Sequence, residues 1–249
     1  MTDLFVRTLG QGTPVVLVHG SGGGSWQWTL QHTLAESFLL VMPDRRGYGR
    51  SPPSSLIDYE RDAEDIAELL GEGAHLVGES YGAVGSLLAA GLRPEAVLSL
   101  TVIEPPLFTL VRGNPDADEM AERAGQVFAA TRDASPEEFV AEFNRAVGFD
   151  ALPSTLDSES RGAVESMMRE RPPMDARAPY HQLKRARFSK LVLSGGWSGV
   201  FEAICDELAV RIGAERAVVP GAGHSPYMTG SAFNERLKAF LASAQGRMR

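Results

Sequence analysis

Apolar positions along this chain fall into short runs separated by stretches with helical spacing. Residues 4–9 read as a strand, after which Gly10-Gln11-Gly12-Thr13-Pro14 turns the chain. Val15-Val16-Leu17-Val18 is apolar throughout, as expected of a strand covered on both faces. A helix is expected near residues 26–37, then an apolar strand at Phe38-Leu39-Leu40-Val41-Met42. Residues 58–70 place Ile66, Leu69 and Leu70 on helical spacing with acids between them, and Asp58 stands where an N-cap belongs. Strands follow at His75-Leu76-Val77 and at residues 97–103, 190–193 and 217–219. Helices are expected over residues 83–90 and 199–211, and a last one from Pro226, a suitable first-turn proline, to Ala244. This alternation predicts an α/β fold with a mostly parallel sheet and helices on both faces.

Residues 106–187 break the rhythm. They carry charged helical patterns at 116–132, 136–147 and 158–171 and no convincing strand. The expected organisation is a core built from residues 1–105 and 188–249, with 106–187 inserted as a helical cap. The insertion starts at the C-terminal end of a strand, where open α/β sheets bind ligands. A separate helical domain is the alternative.

Bulk properties narrow the partners without naming one. A chain of 249 residues, 43% hydrophobic, can bury one large core. A net charge of −8 argues against nucleic acid and anionic membranes, both of which attract basic patches. The single Cys205 excludes an internal disulfide and a multi-cysteine metal site, and in its apolar setting reads as a structural thiol. The N-terminus has no apolar signal-peptide core, and no apolar run approaches the ~20 residues of a membrane span. A soluble, cytoplasmic enzyme is expected.

The chemistry concentrates in loops that follow strands. Gly78-Glu79-Ser80-Tyr81-Gly82 is G-x-S-x-G between a strand and a helix, the setting of a nucleophile elbow with Ser80 at its apex. His19-Gly20-Ser21-Gly22-Gly23-Gly24 follows a buried strand and can turn backbone N–H groups toward a substrate oxygen. Ser21, with Gly22 next in line, and Tyr81 are the expected oxyanion donors. The run lacks the lysine of a phosphate-binding P-loop. Gly221-Ala222-Gly223-His224-Ser225-Pro226 puts a histidine on a flexible loop at a strand's end, free to serve Ser80 as general base. His32, His75 and His181 have no comparable setting, and His19 reads as a brace for the oxyanion loop. Asp44-Arg45-Arg46-Gly47-Tyr48-Gly49-Arg50-Ser51 reads as a structural rim loop.

In this order, His19-Gly20, the Asp44-to-Ser51 run, Gly78-x-Ser80-x-Gly82 and Gly223-His224 resemble the α/β-hydrolase superfamily. The resemblance spans nearly all the chain outside the cap. It implies an eight-stranded, mostly parallel sheet, an oxyanion hole at Ser21 and Tyr81, and a serine–acid–histidine triad. The family's usual acid follows the strand at 190–193, but here that place reads Ser194-Gly195-Gly196-Trp197-Ser198, without a carboxylate. Some members carry the acid one strand earlier, which is Glu104, followed by Pro105 and Pro106. Proline after it favours extended backbone at Glu104. Glu202 and Asp206, on the helix expected over 199–211, are competing acids, and an incomplete triad is the remaining reading.

The resulting expectation is a serine hydrolase that opens a small carboxylic ester or lactone through an acyl-enzyme, with no metal or organic cofactor. Gly22, Trp26, Trp28, Trp197 and Phe108 are the expected substrate contacts, although the aromatic residues would equally suit a core. A serine at the elbow argues against haloalkane dehalogenase and epoxide hydrolase chemistry, which need a carboxylate nucleophile. The alternatives are a lyase or cofactor-free oxygenase using His224 as base, and a non-catalytic binding protein. The fold itself hosts many reactions.

Overall fold

A computed structural model describes residues 2–131, 133–149 and 155–246. Seven strands form one sheet: β1 (Val6–Gly10), β2 (Pro14–Val18), β3 (Leu39–Pro43), β4 (Ala74–Glu79), β5 (Val97–Ile103), β6 (Ser189–Ser194) and β7 (Glu215–Val218). Their spatial order is β1-β3-β2-β4-β5-β6-β7. β1 runs antiparallel to β3, and every other pairing is parallel. The apolar runs in the sequence mark these seven strands. The eighth strand that the family resemblance adds has no counterpart among the described residues.

Helices α1 (Tyr59–Leu69), α2 (Ser80–Leu92), α7 (Gly199–Ile212) and α8 (Ser231–Gly246) belong to the alternating βα part of the chain. Between β5 and β6 lie α3 (Pro115–Ala130), α4 (Pro136–Val147), α5 (Ser158–Met167) and the short α6 (Tyr180–Arg185). This stretch holds no strand among the described residues, only an isolated bridge from Glu170 to Ile57. The expected run 116–132 is α3, capped by Asn114; Arg132 lies outside the described residues, as do residues 150–154 of the inserted region.

The period-2 geometry of the strands splits the core in two. Val16, Val18, Leu76, Leu100 and Val192 pack on one face with α1, α2 and α7. Val15, Leu17, Val77, Ile103 and Leu193 pack on the other with α8 and the turns at Ser25–Glu36. Two helix expectations change. Ser25–Glu36 is a kinked pair of 3-10 turns, broken at Trp28. The last helix starts at Ser231 and not at Pro226, because Gly230 adopts φ +62° and separates it from a 3-10 turn at Pro226–Thr229.

The strand order also locates the site. From β2 the chain steps to β3 on one side, then crosses to β4 on the other, so loops leaving β2 and β4 diverge there. Such switch points, at the C-terminal ends of the strands, are where open α/β sheets form a crevice. The loop at 19–24 leaves β2 and Ser80 leaves β4, so both open into that crevice.

Candidate active site

Ser80 is at φ +50°, in the left-handed region, at the junction of β4 and α2. The flanking glycines permit the tight turn. A Cβ at Gly78 would lie 2.3 Å from Ser86 Oγ and 2.7 Å from the Gly82 carbonyl, inside α2. A Cβ at Gly82 would lie 2.3 Å from the His19 carbonyl, at the end of β2. Packing of strand against helix therefore forces the serine outward.

His224 Nε2 lies 3.0 Å from Ser80 Oγ, and its Nδ1 lies 3.2 Å from Glu104 Oε2. With the ring proton on Nδ1, His224 donates to Glu104 and accepts the Ser80 hydroxyl. Glu104 is fully buried and, like Ser80, has positive φ (+49°), not the extended backbone expected of a residue before proline; among the described residues these are the two non-glycine residues with positive φ. Each such backbone costs on the order of 1–3 kcal/mol, so the surrounding contacts must over-determine it. They do so at Glu104. The Gly195 N–H donates to Oε1 at 2.7 Å, the Trp197 indole N–H donates to Oε2 at 3.1 Å, and the Glu104 N–H donates to the Leu193 carbonyl at 3.0 Å. The segment lacking the usual carboxylate thus supplies two donors to one located on the neighbouring strand.

Glu202 and Asp206 are not brought to His224. Both pair with Arg216, and Glu202 also accepts the Gly196 N–H at 3.1 Å.

The loop at 19–24 is braced from below. Arg45 Nε donates to the His19 carbonyl at 3.0 Å and Nη2 to the Gly20 carbonyl at 3.1 Å. Its guanidinium also pairs at 2.6 Å with both Asp62 and Glu170. Burial opposes that charge, but the two carboxylates hold Arg45 well above its ordinary range. His19 receives the Arg45 N–H at 2.9 Å on Nε2, and burial pushes its pKa well down, so the ring stays neutral. Asp44 is structural, accepting N–H groups from Ser25 and Arg50. Ser21 Oγ donates to Glu170, fixing the loop residue whose N–H faces the crevice in the sequence reading. The Gly22 N–H points to Tyr48 Oη at 3.4 Å.

Above these groups is a cavity of about 850 Å³. Ser21, Gly22, Trp26, Ser80, Tyr81, Phe108, Trp197 and His224 all border it. Trp28 does not. It is fully buried beneath the sheet, 5.2 Å from the Tyr227 ring, so its assignment as a substrate contact is corrected. The kink at Trp28 sends Trp26 to the cavity and Trp28 into the core. Most of the far wall is apolar and comes from α3–α5, including Phe128, Val140, Phe143, Val164 and Met167.

Three bordering residues escape the motif-based reading. Phe149, beyond α4, stacks near His224 with ring centroids 4.4 Å apart. Glu79 and Gln27 are buried at the cavity floor, with Gln27 Nε2 donating to Glu79 Oε2 at 3.2 Å. Burial pushes the Glu79 carboxyl up to about 7, with His224 and Gln27 acting in the opposite direction. Glu79 does sit inside G-x-S-x-G, but at a position the motif leaves open. Among the described residues no cluster of three or more His, Cys, Asp or Glu side chains could hold a metal, and no helix is long and apolar enough to cross a membrane.

Comparison with known proteins matches residues 15–236 to the model of a family described as "Alpha/beta hydrolase family". The chain is similar to a pimeloyl-[acyl-carrier protein] methyl ester esterase of Methylococcus capsulatus, 39% identical over 102 residues that cover 40% of each chain. Its matches span less than two thirds of the length of the first such curated relatives. Among solved structures it is similar to a thermophilic esterase from Thermogutta terrifontis (TM-score 0.72, 22% identity, covering 97% of this chain and 93% of that one). It is also similar to Est816, described as an N-acyl homoserine lactone degrading enzyme (TM-score 0.65, 22% identity, covering 95% and 96%). At these identities the structural likenesses bear on the fold alone.

Proposed function

The chain belongs to the alpha/beta-hydrolase family, and we propose that it is a serine hydrolase of small carboxylic esters or lactones. The observation that carries this reading is the unbroken relay from Glu104 through His224 to Ser80 at the base of a largely apolar cavity. His224 takes the hydroxyl proton as Ser80 Oγ attacks the acyl carbon. Buried Glu104 keeps the imidazole in the required tautomer and stabilises the imidazolium that forms. Backbone N–H groups of Ser21 and Tyr81 receive the oxyanion, each such donor contributing a few kcal/mol in the transition state. His224 then returns the proton to the leaving oxygen, and water, activated by the same ring, releases the acid. No step calls on a metal or an organic cofactor.

The stretch between β5 and β6 acts in this reading as a cap over the site. Its apolar wall accommodates the acyl part, and the cavity volume lies within the range of small-molecule sites. Names of the relatives, a methyl ester esterase and a lactone-degrading enzyme among them, are consistent with that substrate class.

The test is labelling with a fluorophosphonate, followed by a screen of esters and lactones of graded acyl length. Wild type is expected to label at Ser80, and Ser80→Ala to lose both labelling and turnover. Turnover retained in Ser80→Ala would refute the covalent mechanism and favour a lyase or oxygenase that uses only His224.

A further inference from the structure

Glu79 takes no part in the relay from Glu104 to Ser80, yet its carboxyl is buried against it. Oε2 accepts from Gln27 at 3.2 Å, while Oε1 lies 3.7 Å from His224 Nε2, and both residues border the cavity. That separation is too long for a direct hydrogen bond. Gly20 seats the carboxyl against the oxyanion loop, since a Cβ there would fall 2.2 Å from Oε2. Burying a carboxylate whose ion-pair partner among the described residues is a histidine 3.7 Å away is costly, and such groups concentrate at functional sites.

The spacing acquires a use once Ser80 is acylated. Its oxygen then has no proton to offer Nε2, and an incoming water must take its place. A water donates twice: one proton goes to Nε2, and the other needs an acceptor within reach. At roughly 2.8 Å from both Nε2 and Glu79 Oε1, a water would see them about 83° apart. That is close enough to its own H–O–H angle for both bonds to form. On the proposed serine mechanism, we infer that Glu79 holds the hydrolytic water of the deacylation step and so directs the acyl-enzyme toward water over other nucleophiles. The water oxygen bonds to the acyl carbon while His224 Nε2 takes one proton. The other proton stays on that oxygen, which becomes the hydroxyl of the released acid. The bond from carbon to Ser80 Oγ breaks, and His224 returns its proton to Oγ. Glu79 accepts a hydrogen bond throughout and exchanges no proton.

The experiment measures how the acyl-enzyme partitions between water and added hydroxylamine, using a p-nitrophenyl ester and quantifying acid and hydroxamate. This ratio reports only on steps after acylation. Glu79→Gln keeps shape and one acceptor oxygen; Glu79→Met removes both acceptors. The hydroxamate-to-acid ratio is expected to rise in both, by about tenfold or more in Glu79→Met, while fluorophosphonate still labels Ser80. An unchanged ratio in Glu79→Met overturns the inference. So does loss of labelling in both variants, which would assign Glu79 to support of the elbow. Failure of the serine mechanism itself is separately visible, because wild type would then form no acyl-enzyme at Ser80.

Discussion

Glu104 bears two unfavourable features at once, a left-handed backbone and complete burial of a carboxylate. The donors from Gly195, Trp197 and His224 offset both, so the carboxylate is fixed in the orientation that His224 needs. Glu104→Gln would put an amide opposite Nδ1 and favour the wrong tautomer, as well as removing the charge that stabilises imidazolium. We expect kcat to fall by roughly 10²–10⁴-fold with little change in KM, and Trp197→Phe, which removes one donor only, to lose much less. Comparable losses in the two variants, or none in Glu104→Gln, would refute the assignment; steady-state kinetics at matched folding decides. Part of this site is legible in the sequence because it is local. A serine between a strand and a helix, and a histidine on a glycine loop, are adjacent-residue patterns. Glu104 could be proposed because prolines follow it at a strand's end. The indole of Trp197 could not be linked to a carboxylate 93 positions earlier, and Trp26 and Trp28 could not be told apart, since their fates depend on one kink.

At the scale of elements, Glu170 ties the segment between β5 and β6 to the loops that leave β2 and β3. Glu170, beyond α5, pairs with Arg45, accepts from Tyr48 Oη at 2.7 Å and accepts from Ser21 Oγ. Tyr81, next to Ser80, adds a second tie by donating to the carbonyls of Ile57 and Arg171. The helices of this segment were legible from their caps and periodicity, such as the Ser135–Glu138 capping box. Their attachment was not, because Glu170 reads in sequence as one more acid on a charged stretch. Glu170→Gln would leave buried Arg45 with Asp62 alone and weaken the hold on Ser21. Breaking a buried pair costs about 3–5 kcal/mol, so the melting temperature is expected to fall by roughly 6–20 °C. Because the same residue anchors Ser21, the proposed oxyanion donor, kcat should drop as well, measured at a temperature where the variant is still folded. A lower melting temperature with unchanged kcat would confine Glu170 to stability.

For the whole molecule, the alternation of apolar runs was enough to read an α/β sheet with helices on both faces, since that pattern is set by burial on each side of every strand. The strand order, which creates the crevice between β2 and β4, is a property of the assembled sheet. So is the environment that raises Glu79 from its ordinary 4.5 to about 7: burial first, opposed by His224 and by hydrogen bonds from Gln27 and Gly20, and reinforced by Glu104. Tyr227 faces it as well, its own pKa raised by burial and then by Glu79. Between pH 4.5 and 7 the folded protein therefore holds a proton here that the unfolded chain has released. Stability must fall as pH rises through that window, and the cost is fully present above it. Glu79→Gln removes the cost while keeping the shape. The variant is expected to be more stable than wild type above pH 7, by at most roughly 3 kcal/mol, with the difference shrinking as pH falls and vanishing below about pH 4.5. Thermal melts of both proteins from about pH 4 to 9 measure this directly. A difference that does not vary with pH would mean that Glu79 titrates alike in the folded and unfolded chain, and that the crevice does not perturb it.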